Sequence, residues 1–488
     1  MTTTERATAS AAVRAQVGHP IVDADGHFLE LSPLFLAELT ERIEAFGGAA
    51  LRDRFTSAGV LPYDQRAPGA ADDPRETRRP ARPWWGWPTR NTLDRATGHL
   101  PALLYERLDE LGLDFTILYP SHGLAYTDMF DADLAQAAAR AINEMNAEAF
   151  RPYADRMTPA AVIPMHTPAQ AIEEAEHAVR VLGLKAILIA GYVTRPVPQV
   201  HREHPELLPI VNWLDTYGLD SEHDYDPFWA KCVELGVAPV SHSGIIYWRA
   251  TRSTSSFMYN HLNAIAHAHE SLCKSLFMGG VTRRFPTLKF AFLEGGVGWA
   301  CGLYADMIGH WDKRNGTAVR ALDPAELDVE RLVQLLDAYG DDHVRAHLDE
   351  LRAWFTRPDP GRTPLDEWSA CAIETASEIR DLFVPHFYFG CEADDPINAW
   401  AFAEHVNPFG ARLRAMFGSD ISHWDVPDMA APVHEAYEAV ERGTMSERDF
   451  RDFTFTNPVS LHAGMNPRFF EGTPCDAAVA QLLAAGIE

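Results

Sequence analysis

Asp114–Tyr119 (DFTILY), Leu134–Phe150, Thr158–Met165 (TPAAVIPM), Ala169–Leu182 and Leu184–Ala190 (LKAILIA) follow one another, with Gly183 between the last two. DFTILY, TPAAVIPM and LKAILIA are nearly continuous apolar runs, whereas the two segments between them repeat apolar residues at helical spacing. Buried apolar strands alternating with amphipathic helices predict a parallel sheet covered by helices. Outward from this block the pattern continues. On the N-terminal side, Ile21-Val22 opens a strand, Pro33–Phe46 reads as a helix, and Ala102–Leu111 is a helix ended by Gly112. On the C-terminal side, the helix Pro227–Leu235 leads into the strand Val237–Val240, and Asn260–Gly279 precedes the strand Leu288–Leu293. A helix runs through Trp299–His310, and Phe387–Phe389 and Arg414–Phe417 are the last strands.

Eight such strands close into a barrel. An open doubly wound sheet would carry G-x-G-x-x-G after its first strand, and none is present. Neither a P-loop, a G-x-S-x-G elbow nor an H-E-x-x-H helix occurs. The predicted fold is therefore α/β, a distorted (β/α)8 TIM barrel spanning residues 18–470. It carries insertion loops at 60–92 and 192–226, a helical insertion at 316–367 and a helical tail at 471–488. Within the helical insertion, Leu322–Phe355 is charged and Arg357–Leu365 is proline-rich. The first loop holds Trp84, Trp85 and Trp87, read either as a cover over an apolar substrate or as an anchor of the loop to the barrel.

The chain of 488 residues has 42 basic and 69 acidic side chains, a formal charge of −27. Phosphate binding needs a basic face, so this balance argues against nucleic acid and anionic membranes as partners. The six cysteines are scattered without a C-x-x-C pair, which indicates neither a zinc knuckle nor a disulfide framework and fits the reducing cytosol. Met1–Gln16 has no apolar core of a signal peptide, and no apolar run reaches membrane-spanning length. A cytoplasmic protein is expected.

Five of the eight strands end in residues able to hold a metal: Asp25 with His27, His242, Glu294, Glu392, and Asp420 with His423. In a parallel barrel these ends ring one mouth. Asp25 and His27 are two apart and share a face of an extended chain. Oxygens and imidazole nitrogens converging on one point suit a divalent metal such as Zn, Mn or Fe. Glu294 precedes Gly295-Gly296, which lets backbone approach a ligand, although a Glu here could also cap the next helix. Glu30, three past His27, is a further candidate ligand or the start of the following helix. His261, His267 and His269 lie on or before a helix and are expected on its outer face; His261, nearest the mouth, is kept as a ligand candidate. His423 would orient Asp420 or the substrate. Glu294 and His423 are the candidate catalytic groups, and Glu392 joins the three tryptophans as a substrate-binding candidate.

The run Asp23-x-Asp25-x-His27-x-x-Glu30, His242 after the fifth strand, Phe285-Pro286-Thr287-Leu288-Lys289 leading into Glu294-Gly295-Gly296, and Gly418-Ser419-Asp420-x-x-His423 together resemble the amidohydrolase-related family. That family includes enzymes of the aminocarboxymuconate-semialdehyde decarboxylase type. The resemblance runs from about Ile21 to Phe470 and implies a metal-dependent TIM barrel. Asp25-x-His27 falls where the family has H-x-H or E-x-H, His242 at its fifth-strand histidine and Asp420 at its eighth-strand aspartate. Two departures stand out. Glu294 takes the place of the sixth-strand histidine of decarboxylase-type members, and Ile189-Ala190-Gly191 lacks the lysine that dinuclear hydrolases carboxylate.

The resulting carboxylate-rich set suits two adjacent iron ions. The overall pattern is similar to the nonheme diiron monooxygenases of platensimycin-type diterpenoid biosynthesis. This likeness implies O2-dependent hydroxylation of an apolar diterpenoid acid or its thioester, with an electron donor as partner. Asp25, His27, His242 and Asp420 would hold one ion, and Glu294 with His261 or Glu30 would help hold the second. The alternative is a single Zn or Mn ion in a decarboxylase or hydrolase, where it would act as Lewis acid or lower the pKa of bound water, with Glu294 as general base. A more remote reading is a metal-binding barrel without catalysis. Whether Leu322–Phe355 is a lid or the contact of a homodimer stays open at this level.

Overall fold

Chain order and sheet order coincide in the computed structural model, which describes residues 8–59, 74–77, 80–81, 90–127, 129–208, 210–242, 253–357 and 365–486. The first strands are β1 (Val22–Phe28), β2 (Phe115–Pro120), β3 (Met157–Ile163) and β4 (Ala186–Ile189). A separate antiparallel hairpin, β5 (Val193–Pro196) and β6 (Asn212–Asp215), follows. Then come β7 (Pro239–Ser241), β8 (Phe290–Phe292), β9 (Phe387–Glu392) and β10 (Arg414–Gly418). Leaving the hairpin aside, each strand pairs in parallel with the next. The last meets the first: Asp420 N–H donates to Asp25 O at 2.9 Å and His27 N–H to Ile421 O at 3.1 Å. The eight-stranded sheet is thereby nearly closed, with helices between strands, as a TIM barrel requires. All eight strands read from the sequence are present.

Apolar side chains fill the lumen, among them Val22, Ile117, Val162, Leu188, Ala291 and Met416. A second apolar layer lies between the strands' outer faces and the helices, with Phe28, Leu118, Ile163 and Ile187 on the sheet side. The helices start and stop on local chemistry. Asp131 accepts from the amides of Asp133 and Leu134 to open Ala132–Phe150. Gly112, at φ 76°, ends Pro101–Leu111 in the left-handed conformation, where a Cβ would meet Ser10 O at 2.7 Å.

The local feature that positions the site is a β-bulge in β1. From Asp23 to Gly26 the register advances three residues on β1 against two on β2. The extra residue resets the alternation. Val22 and Ala24 pack in the lumen, Asp23 turns outward to Thr116, and Asp25 and His27 both reach the mouth. Gly26 follows from the same constraint, since a Cβ there would sit 2.7 Å from both Asp23 Oδ2 and Thr116 Oγ1. Asp23 accepts from Thr116 Oγ, Ser419 Oγ, Ser419 N and Asp25 N, tying β1 to β2 and to the end of β10.

Several segments differ from the sequence reading. The helix expected at Pro33–Phe46 continues as Ser32–Ala58, bending at Gly48 (φ 80°). Residues 192–226 are not one irregular loop: besides β5 and β6 they hold a short helix, Pro198–His201. This hairpin is anchored by buried Arg195, which donates to Asp215, to His166 O and to the Tyr225 hydroxyl. Among the described residues of 316–367, the helix Val329–Tyr339 packs against Leu348–Thr356. The packed body extends beyond 18–470. Ser10 and Val13 of the helix Ala9–Gln16 are buried, as are Cys475 and Val479 of the C-terminal segment. All six cysteines are buried and free. No helix among the described residues is long and apolar enough to cross a membrane.

Candidate metal centre

Six side chains from the ends of β1, β7 and β8 and from the turn after β10 converge at the barrel mouth. His27 Nε2 stands at their centre, 3.1 Å from His242 Nε2, 3.3 Å from Asp420 Oδ1 and 3.5 Å from Asp25 Oδ1. His242 Nε2 is also 3.5 Å from Glu294 Oε2 and 3.8 Å from Asp25 Oδ1. His423 Nδ1 lies 2.9 Å from Glu294 Oε1 and 2.6 Å from Asp420 Oδ1, and its ring stacks on His27 with centroids 3.7 Å apart. Two overlapping ligand groups result, His27–Glu294–Asp420–His423 and Asp25–His27–His242, joined through His27.

These residues fit a divalent cation. For metal–ligand bonds of roughly 2.1 Å, adjacent donors around one ion lie about 3.0–3.4 Å apart in octahedral or tetrahedral geometry. The contacts of His27 Nε2, at 3.1, 3.3 and 3.5 Å, lie in or just above that range. Asp25 Oδ1 is buried without a hydrogen bond among the described residues. Buried carboxylate oxygens normally carry several, so lone pairs aimed at a shared point are the simplest account. Two of the residues sit in the left-handed backbone region that side chains with a Cβ rarely adopt: Glu294 at φ 58° and Asp420 at φ 47°. Strain of this kind concentrates where geometry is held for function.

The electrostatics follow from burying like charges together. Burial, reinforced by the charge of Glu294, holds the carboxyls of Asp25 and Asp420 well above the usual carboxylate range. Burial would also raise Glu294, but the pull of His423, His242 and His27 outweighs it and holds this carboxyl low. His242 is pushed down to about 4, chiefly by burial, and His27 falls well below its ordinary value through burial and the neighbouring imidazoles. His423 goes the other way: burial opposes its protonation, but Glu294 overcomes that and raises it. At the rim, Glu392 is pushed up to about 8 by burial and the charges of Asp425 and Glu294.

Of the residues picked from the sequence, Asp25, His27, His242, Glu294, Asp420 and His423 are brought together. Glu30 is not: its two oxygens accept from the amides of His122 and Gly123 at 2.9 and 3.0 Å, capping the turn after β2. His261 lies on the helix Phe257–His261, edge-on to Trp424 at 5.3 Å, outside both ligand groups. His269 corrects the expectation of an outer-face histidine. It is fully buried, with Nε2 on Leu293 O at 2.6 Å and Nδ1 by Ser241 Oγ at 3.3 Å, bracing β7 against β8; His267 is exposed. Trp84, Trp85 and Trp87 lie outside the described residues. Two participants escaped the sequence reading. Tyr119 is a fully buried phenol whose ring is 6.0 Å from that of His27 and 5.6 Å from that of His242. Asp425 raises the pKa of both Asp420 and Glu392. The signal for Tyr119 was a single hydroxyl near the end of an apolar strand, and for Asp425 an acid five places after Asp420.

One solved structure agrees with this architecture at the level of the fold. An amidohydrolase from Mycobacterium avium subsp. paratuberculosis K-10 superposes with a TM-score of 0.51 at 18% identity, over 91% of this chain and 98% of the other. A dihydroxybenzoic acid decarboxylase from Polaromonas sp. JS666, crystallised with manganese and 2-nitroresorcinol, aligns at TM-score 0.46 and 17% identity, covering 91% and 97%. A 5-carboxyvanillate decarboxylase from Sphingomonas paucimobilis gives 0.44 and 14%, covering 91% and 98%. The family model described as Amidohydrolase matches residues 22–345, well over half the sequence, and includes the ends of β1, β7 and β8. The chain belongs to the amidohydrolase family.

Proposed function

We propose that the protein is a divalent-metal enzyme, using one Mn2+ or Zn2+ ion, that decarboxylates a small organic acid; hydrolysis is the neighbouring chemistry of the same site. The observation that carries this reading is the packing of the donor atoms around His27 Nε2 at the spacing of a single coordination shell. Asp25, His27, His242 and Asp420 would hold the ion. When bound, it would act as a Lewis acid toward the substrate carboxylate and its neighbouring group. Loss of CO2 leaves the electron pair of the broken C–C bond on carbon, and a proton must take the vacated position. His423 suits that task, because Glu294, 2.9 Å from its Nδ1, and the charge of Asp425 favour the protonated ring. Glu294, held ionised, orients the imidazolium and stabilises its charge until the proton is given up to carbon.

The second reading, a diiron monooxygenase acting on an apolar carboxylated natural product, is favoured by one feature: three carboxylates divided between two ligand groups that share His27. Three anionic oxygens can balance most of the charge of two divalent cations. Protonated His423 balances the single-ion state equally well, since three negative charges meet two from the metal and one from the imidazolium. The test is turnover of a panel of carboxylic acids under anaerobic conditions with Mn2+ or Zn2+ restored. Release of CO2 without oxygen supports decarboxylation. Activity that requires iron, a reductant and O2 supports the oxygenase instead.

A further inference from the structure

We infer that the hydroxyl of Tyr119 is a substrate-contacting hydrogen-bond donor, set beside the metal centre to hold an anionic oxygen of the bound ligand. The inference rests on the metal-centre reading above and adds a residue to it. Tyr119 is opposite His27 in the β1–β2 register, at the level of the ligands. With Phe115 and Ile117 it lies on the lumen face of β2, so its side chain forms part of the uppermost layer of the barrel interior. Its ring approaches those of His27 and His242 to 6.0 and 5.6 Å. Its hydroxyl is nevertheless buried with no hydrogen-bond partner among the described residues. A phenol placed only for packing would be replaceable by phenylalanine at a gain, because a buried, unpaired hydroxyl is destabilising. A tyrosine at this position is explained by a partner that arrives with the ligand. The phenol can donate as well as accept, and buried Asp25 stands nearby, so an anion held by the metal is a suitable recipient.

The variant Tyr119→Phe separates the two roles. The protein is loaded with Co2+, and three quantities are compared with wild type: bound metal, thermal midpoint of the metal-free form, and affinity for oxalate read from the visible Co2+ spectrum. Unchanged metal content, an equal or higher midpoint and about tenfold weaker oxalate binding are expected, the size following from loss of one charge-assisted hydrogen bond. Equal oxalate affinity, or no oxalate binding by metal-loaded wild type, overturns the assignment of Tyr119 alone. A lower midpoint or lost metal also overturns it, by making the hydroxyl a structural support. A wild-type protein that takes up no metal overturns the function proposed above and this inference with it.

Discussion

His27 and His242 face each other through their Nε2 atoms at 3.1 Å, with ring planes 84° apart. They come from strands separated by more than two hundred residues, yet burial lowers the pKa of both and leaves neutral lone pairs in the same small space. A cation between them resolves that crowding. Replacing either with alanine should lower metal affinity on the order of a hundredfold or more while leaving the fold intact. Competition with a chelator, alongside far-UV circular dichroism, measures both. Full metal binding by His242→Ala would remove β7 from the centre.

Gly418, at the end of β10, lies where a Cβ would come within 2.9 Å of Asp25 Cβ. Gly418→Ala should therefore displace a ligand without altering any donor atom. The expected outcome is at least tenfold weaker metal binding and a stability loss of about 1–3 kcal/mol from overpacking. Denaturant unfolding of the metal-free protein isolates the second effect.

Asp23 holds the barrel seam shut rather than binding the ion. One carboxylate accepts from two hydroxyls and two amides, on β1, β2 and the turn after β10. In Asp23→Asn an amide NH2 would replace one acceptor and confront donors. A loss of about 2–4 kcal/mol is expected from buried groups left unpaired, read as a lower thermal midpoint. A midpoint matching wild type would mean that closure depends on the backbone bonds alone.

Much of this was legible in the sequence, and the reasons differ by residue. Most of the eight strands announced themselves because a strand buried on both faces must be largely apolar, whereas β1 showed only through Ile21-Val22 and the polar residues after it. Asp25, His27, His242, Glu294, Asp420 and His423 stood out because each interrupts or follows such a run at the mouth end. The bulge did not, since Ala24 and Asp25 fit either face until the partner strand's register is known. Glu30 has the same spacing logic as a ligand, but two backbone amides claim its carboxylate first. The hairpin within 192–226 was hidden because its strands are only four residues long and the first carries arginine and proline.

Metal binding should strengthen with pH. Asp25 and Asp420 have raised pKa values in the metal-free protein, so they retain protons into the range where free carboxylates are ionised. A cation binds only the ionised forms, and each proton must leave as it enters. The same shift has a stability consequence of opposite appearance. A carboxyl whose folded pKa is raised contributes stability that is present below its unfolded pKa and lost as pH rises through the folded one. Metal-free protein should thus weaken as pH rises above about 4, and added metal should offset that loss. Proton release in weakly buffered solution, and thermal midpoints with and without metal at several pH values, report the two effects. A pH-independent affinity would contradict both shifts.

The central claim is one coordination shell that includes His27 Nε2 as a donor, and counting metal per chain in the purified native protein tests it most directly. Elemental analysis with an O2 electrode on active protein gives the answer. One manganese or zinc per chain, with turnover that consumes no oxygen, is expected. Two irons per chain, with O2 uptake coupled to a reductant, would contradict it.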